Sequence, residues 1–477
     1  MSLLFLGILA PGRGEARSVI YTNGVIWTGD PAQPWATALW VRDGVIEGVG
    51  EEAALRARAG EESLSLDLEG GFVCPGIVDA HAHVLSLGLS LERVDLVGAA
   101  TLEEARERVA RAVGLRDEEG DTESWVRGWG WDQNDWPDAQ FPVAANLDGV
   151  SGSHPVALTR VDGHALWVNA RALEAAGITS STPDPPGGRI LHDPSGDPTG
   201  ILIDRAGDLV REAIPPTAVE TKRRAILAAN DLLARQGVTG VHDMGMSAEE
   251  IGIYRGLANE GGLKVRIYGA IHSTDPQLED VLSRGVDREW EGGTFKLGMV
   301  KFYTDGALGS RGAALLAPYR DDPGNDGLLL LEADDLELGL RVARRAGFQC
   351  AVHAIGDRAN REVLDTWEQL LRSRRFLGRG TTVPMAPLSL AGGVEPMIPP
   401  LRLEHAQILA PEDLPRVGDL GILASVQPAH CTSDMPWVED RLGSERLPGA
   451  YAWRSLRLHG AVVAFGSDFP IESPNPW

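Results

Sequence analysis

From Thr217 onward, short apolar runs alternate with amphipathic stretches at a nearly regular interval. Thr217-x-x-Glu220 reads as a capping box opening a helix with Ile226, Ala229 and Leu233 on one face, stopping near Gly237. Residues 238–241, 265–271, 299–303, 349–353, 401–405, 422–426 and 462–468 then read as strands. Helical segments lie between several of them, notably 361–371, with Val363, Trp367 and Leu370 at helical spacing. One earlier apolar run, 71–83, brings the total to eight. Eight strands in β/α alternation predict an α/β fold, a (β/α)8 TIM barrel, with its chemistry at the C-terminal strand ends.

Ahead of that unit the period shortens. Residues 20–22, 25–27, 38–41 and 45–46 form apolar runs separated by Asn23-Gly24 and Asp43-Gly44, both hairpin signals. They predict a small antiparallel, sandwich-like β domain over 19–70, too few strands to stand alone. Between the first barrel strand and Thr217 the pattern points to an inserted subdomain, about 90–215. Thr101-x-x-Glu104 opens a helix bearing Leu102, Ala105, Val109 and Val113, and a tryptophan-rich run, Trp125 to Trp136, follows. Next comes Ala157 to Asn169, which includes Asp162-Gly-His164, and a Pro/Gly/Asp-rich stretch, 182–200, that reads as loop. Trp129 is a candidate for an apolar wall beside a substrate; tryptophans in such a segment equally fill a core. Residues 3–10 are apolar and fit either an export signal lacking its basic segment or a ragged start.

Charge narrows the partners. With 44 basic and 68 acidic side chains the net charge is −24, without a basic block, which argues against nucleic acid and anionic membrane and for a small-molecule substrate. Cys74, Cys350 and Cys431 are too few and too scattered for a disulfide framework or a cysteine zinc site. The expected location is the cytoplasm, with export the alternative if 3–10 is a signal. The sequence leaves a homodimer open.

The predicted strand ends carry a particular set of side chains. His81 and His83, two apart, point to one face of the first strand. Lys301 sits on the fourth, His353 on the fifth, His405 on the sixth and Asp468 on the eighth. Imidazoles and a carboxylate suit zinc and related divalent ions. A lysine among them must lose its charge, and a carbamate formed with carbon dioxide would supply two oxygens to bridge two ions. The apolar flanks Met299-Val300 and Phe302-Tyr303 fit poorly with a surface lysine.

These motifs together support a family resemblance: Pro75-Gly-Ile-Val-Asp79-Ala-His81-Ala-His83, Val300-Lys301-Phe-Tyr-Thr-Asp305-Gly306, Val352-His353-Ala-Ile-Gly-Asp357, Leu403-Glu404-His405-Ala-Gln407 and Gly466-Ser-Asp468-Phe-Pro470. From Val19 to the C-terminus the chain resembles the amidohydrolase superfamily, and within it the subgroup that includes N-substituted formamide deformylases. The resemblance implies ligation of one or two divalent ions, zinc first, by His81, His83, His353, His405 and Asp468, with Lys301 as the bridging carbamate. It implies hydrolysis of a non-peptide C–N bond, amide or formamide, by a hydroxide whose pKa the metal lowers toward ~7. His405 and Asp468 are the catalytic candidates, with Asp468 moving the proton to the leaving nitrogen. His164, Asp305 and Arg311 join Trp129 as candidate substrate contacts, although His164 equally reads as structural and Asp305 as a turn residue. Glu404 is expected on the opposite strand face as a structural partner, and no motif surrounds His154, His192, His272, His430 or His459. Relatives continue beyond the Asp468 motif, so the chain reads as a fragment with exposed apolar surface on the N-terminal sheet and around the eighth strand. That reading keeps a second class open, a barrel that binds a metal or ligand without turnover.

Overall fold

The computed structural model describes residues 18–118, 120–121, 123–161, 163–373 and 400–477. The 3–10 run and Asp162 lie outside them. Eight parallel strands form one continuous sheet in chain order: β1 (Ile77–Ala82), β2 (Val238–Met246), β3 (Arg266–His272), β4 (Phe295–Tyr303), β5 (Gln349–Ala354), β6 (Arg402–His405), β7 (Leu423–Val426) and β8 (Val462–Phe465). The fold is the expected α/β barrel with a small N-terminal domain.

Closure between the first and last strands is made by side chain and loop. Asp79 accepts hydrogen bonds from Ser467 Oγ at 2.6 Å and Ser467 N at 3.1 Å. Beyond it, Asp468 N donates to His81 O at 2.7 Å and His83 N to Phe469 O at 3.0 Å. Gly466 permits this approach, because a Cβ there would stand 2.4 Å from His81 N. The two ends of the barrel, almost four hundred residues apart in sequence, are thereby locked where the chemistry is expected.

Around the strands, helices present apolar faces inward. The helix Val219–Arg235 buries Ile226, Ala229 and Leu233 as its spacing predicts. Its cap differs from the expectation: Ala218 is the N-cap residue and makes no side-chain cap, because the helix starts one residue later than a Thr217 box requires. The shorter helix Val84–Leu91 packs on it so closely that a Cβ at Gly88 would fall 1.9 Å from Ala225 O.

The N-terminal region holds two sheets. Asp43-Gly44 makes the expected hairpin between Ala38–Arg42 and Val45–Gly50, with φ of 51° and 81°. Asn23-Gly24 does not join a hairpin, since Ser18–Thr22 pairs in parallel with Leu64–Asp67 and Val25–Trp27 in parallel with Phe72–Val73. Those later strands take the edges that a 20–27 hairpin would need. Val45, Ile46, Leu64 and Leu66 on this region, and Val462, Phe465 and Ile471 near the last strand, are exposed.

The segment after β1 forms a six-stranded sheet, ordered Gly188–His192, Pro198–Asp204, Ala165–Val168, Val156–Arg160, Val126–Trp131 and Val94–Asp95. Two of these strands fall in or overlap 182–200, which the composition had marked as loop. Ile190, Ile201 and Leu202 are buried there, so packing overrides the turn-forming residues around them. The Thr101 cap forms as expected: Thr101 Oγ accepts from Glu104 N at 3.1 Å, while Glu104 reaches back to Ala100 N at 3.0 Å. No helix among the described residues is long and apolar enough to cross a membrane.

Candidate metal centre

Three of the six sequence-predicted ligands meet at the C-terminal mouth of the barrel, with His83 beside them. His81, at the end of β1, His405, at the end of β6, and Asp468, just beyond β8, offer ligand atoms that all lie within 4.8 Å of one another. His83 follows β1 as the N-cap residue of the helix Val84–Leu91, and its Nε2 lies 3.1 Å from Asp468 Oδ1; His81 Nε2 is 3.5 Å from the same oxygen. Ring centroids of His405 stand 4.7 Å from His81 and 4.5 Å from His353. Lys301 on β4 is buried, its Nζ 5.2 Å from the Tyr303 ring centroid, and that ring lies 5.6 Å from His353.

Local backbone explains how neighbours on one strand serve different ends. Arg402 and Glu404 point into the barrel, two apart on β6. His405 would face away if the strand continued, but it adopts φ 70°, followed by Ala406 at 41°, which swings its imidazole back to the mouth. Asp468 likewise has φ 61°. Non-glycine residues in that region are uncommon and here cluster where ligand atoms meet.

Burial sets the protonation states. Burial first, then the Lys301 charge, lowers the His81 imidazole to about 4. His405 is driven well below its usual range by burial and by neighbouring imidazoles. Burial pulls Lys301 down to about 8, bringing its neutral amine within reach of neutral pH. Asp468 resists the upward pull of burial because of its hydrogen bond to His83 and the nearby imidazoles, and it falls to about 2. His81 and His405 are therefore neutral rings facing an ionised carboxylate, the protonation states that divalent metal binding requires.

Outer partners aim the rings. His81 Nδ1 is 2.7 Å from Glu404 Oε2, and His405 Nδ1 is 2.9 Å from Gln427 Oε1. Each contact leaves Nε2 as the free face of its ring. Nε2 of His353 and of His430 are buried with no hydrogen-bond partner among the described residues, the facing carboxylates of Asp305 and Asp468 standing 3.4 and 3.7 Å away without hydrogen-bond geometry. Such orphaned atoms cost free energy unless something absent from the polypeptide satisfies them. The donor set, the neutral His81 and His405 rings and the orphaned His353 Nε2 fit a divalent cation, while the orphaned His430 Nε2 leaves a polar position open to a ligand.

One nearby group escaped sequence reasoning, and a second has a different placement from the one expected. His430, in the helix Pro428–Asp434 after β7, stacks on His405 at 6.1 Å and points Nε2 at Asp468 Oδ2, 3.7 Å away. No spacing rule marks it, because it comes from a loop helix rather than a strand end. Glu404, expected as a structural partner on the strand face opposite His405, is a hydrogen-bond partner of His81 inside the barrel, since it is His405 that departs from strand geometry.

The remaining candidates have other company. Asp305 is buried and accepts from Ala314 N at 3.0 Å, Ile355 N at 3.0 Å and Gly356 N at 2.8 Å, with His353 Nε2 at 3.4 Å. Arg311 forms an ion pair with Asp321 at 2.9 Å. His164 is largely exposed on the inserted sheet, its Nδ1 2.7 Å from Asp204. Trp129 is half-exposed on the same sheet, whereas Trp131, Trp136 and Trp167 are its buried core.

Against known proteins, the amidohydrolase family model matches residues 65–477. The chain is 33% identical to a putative amidohydrolase, YtcJ, of Bacillus subtilis, over 96% of this chain and 82% of that one. It is 30% identical to the N-substituted formamide deformylase of Arthrobacter pascens, over 97% and 82%. Protein LONG AFTER FAR-RED 3 of Arabidopsis thaliana is 35% identical over 98% and 78%. Among solved structures, an uncharacterised metal-dependent hydrolase of Pyrococcus furiosus superposes with a TM-score of 0.78 at 28% identity, covering 96% of this chain and 87% of that one.

Proposed function

Since the chain belongs to the amidohydrolase family, we propose that it hydrolyses a non-peptide C–N bond, amide or formamide, of a small molecule with the aid of a divalent metal, zinc first. The observation that carries this reading is the meeting of His81, His405 and Asp468 within 4.8 Å at the mouth of the barrel. His81, His83, His353, His405 and Asp468 would hold one or two ions, with Lys301 as the bridging carbamate. Once bound, the metal supplies Lewis acidity and brings the pKa of water toward ~7.

The chain's own residues provide the rest. Asp468, ionised at neutral pH, accepts a proton from the attacking water and returns it to the departing nitrogen, whose expulsion as an anion would be prohibitively slow. The burial that lowers Lys301 to about 8 favours its reaction with carbon dioxide, because only the free amine attacks. His430 lies across from Asp468 and is suited to donate a hydrogen bond to the substrate's carbonyl oxygen. His164, Asp305 and Arg311 are engaged by Asp204, loop amides and Asp321, and this reading assigns them no substrate contact.

The test is a panel of N-formyl amines, N-acyl amines, esters and cyclic imides offered to zinc-loaded protein. Turnover of a formamide or amide, abolished by chelation and restored by zinc, is the expected result. Stoichiometric zinc without turnover of any member would replace this reading with a barrel that binds metal but does not catalyse.

A further inference from the structure

Beneath the ligand cluster lies a charged layer where a barrel interior is ordinarily filled with branched apolar side chains. Arg402 is about 1% exposed, and its guanidinium reaches four strands. Nε donates to Glu404 Oε1 at 2.7 Å on its own strand, and a terminal nitrogen donates to Glu404 Oε2 at 3.2 Å. That same nitrogen donates to Ala80 O on β1 at 2.6 Å and to Ser425 Oγ on β7 at 3.0 Å. The other terminal nitrogen meets His242 Nδ1 on β2 at 2.6 Å.

The donor and acceptor inventory fixes the protons. A guanidinium only donates, so His242 Nδ1 is a bare acceptor. Glu404, gripped by Arg402, stays ionised and only accepts, so the proton between it and His81 belongs to His81 Nδ1. The neutral His81 ring then carries its lone pair on Nε2, aimed at Asp468 Oδ1 3.5 Å away. Two acceptors facing each other at that distance repel unless a cation lies between them. A buried pair kept only for stability is readily replaced by apolar side chains, which makes its position directly under His81 informative.

We propose that Arg402 and Glu404 are positioning residues that hold His81 in the Nδ1–H tautomer and aim its Nε2 at the metal. The proposal rests on the metal-centre reading above, and concerns affinity for the ion rather than turnover. Carboxylates behind a ligand histidine fix its tautomer and raise its basicity, and removing them costs about 10–100-fold in metal affinity.

The experiment compares wild type with Glu404→Gln and Arg402→Lys, measuring zinc affinity by competition with a chromophoric chelator, metal-free melting temperature and the downfield imidazole N–H resonances of the zinc-loaded protein. The expected result is an affinity about 10–100-fold weaker in Glu404→Gln, with a smaller loss in Arg402→Lys. A downfield N–H resonance should move or vanish in Glu404→Gln. A purely structural pair would lower the metal-free melting temperature while leaving zinc affinity and the resonance unchanged, and that overturns the proposal. If Glu404→Gln does not fold, Arg402→Lys decides, with affinity equal to wild type as the overturning result. Wild type that binds no zinc would instead overturn the metal-centre reading, and this inference with it.

Discussion

The barrel mouth and the inserted sheet both contain residues whose types invite a functional reading, yet their polar atoms are treated in opposite ways. In the insertion every buried indole is satisfied by backbone: Trp131 Nε1 donates to Leu158 O at 2.8 Å, Trp136 to Ala99 O at 3.1 Å and Trp167 to Val143 O at 3.1 Å. Their rings pack together at 5.9–6.2 Å, one pair stacked and two edge-to-face, a core complete in itself. At the mouth, imidazoles are buried with Nε2 atoms left unpartnered or set against a carboxylate. A rare residue type is therefore a poor guide to function, whereas a buried polar group that the polypeptide does not satisfy is a good one.

The sharpest way to break this contrast is to exchange effects between the two regions. Asp468→Asn should lower kcat/KM by about 10²–10⁴-fold with little change in the metal-free melting temperature, as expected for loss of a proton-transfer group. Trp131→Ala should do the reverse, costing about 3–5 kcal/mol of stability in denaturant titrations while zinc affinity stays within a few-fold of wild type. Turnover lost from the tryptophan variant while it remains folded would join the two regions that the structure separates.

Smaller effects refine the picture. Zinc at a hundred times its dissociation constant should stabilise the protein by about 2.7 kcal/mol, seen as a melting temperature that rises with zinc and falls back with a chelator. Acid should weaken the metal-free protein through His242, whose ring burial and the Arg402 charge lower to about 3. The unfolded chain binds that proton near 6.5, so the contribution is full above this value and is lost as pH falls toward 3. Between pH 7 and 5 the His242 share of the loss should be on the order of 1–2 kcal/mol, with His81 and His405 adding in the same direction, and a melting temperature that rises over that interval would contradict it. Arg311→Ala should leave turnover and melting temperature at wild-type values, because its partner Asp321 shares an ion pair at the surface, where such pairs contribute little.

How much of this was legible beforehand depended on the range of the interaction. Strand-end positions such as His81, His83 and Lys301 could be read because the barrel repeats a simple period and its chemistry has a fixed address. Asp43-Gly44 was read correctly because a two-residue turn is a local decision, whereas Asn23-Gly24 misled because strands forty residues later claimed its edges. Glu404 was misplaced because strict alternation was assumed up to His405, where the backbone turns to φ 70°. His430 was invisible because its meeting with Asp468 is purely tertiary, made by a loop helix without a repeating pattern.

The most direct measurement of the central claim is the anomalous diffraction of a zinc-loaded crystal recorded at the zinc edge. The account expects density at the barrel mouth, bonded at about 2.0–2.1 Å to nitrogens of the ligand histidines and in contact with Asp468 and the Lys301 side chain. A cation seated elsewhere, or a mouth whose histidines and Asp468 close on one another without one while zinc is present in excess, would contradict it.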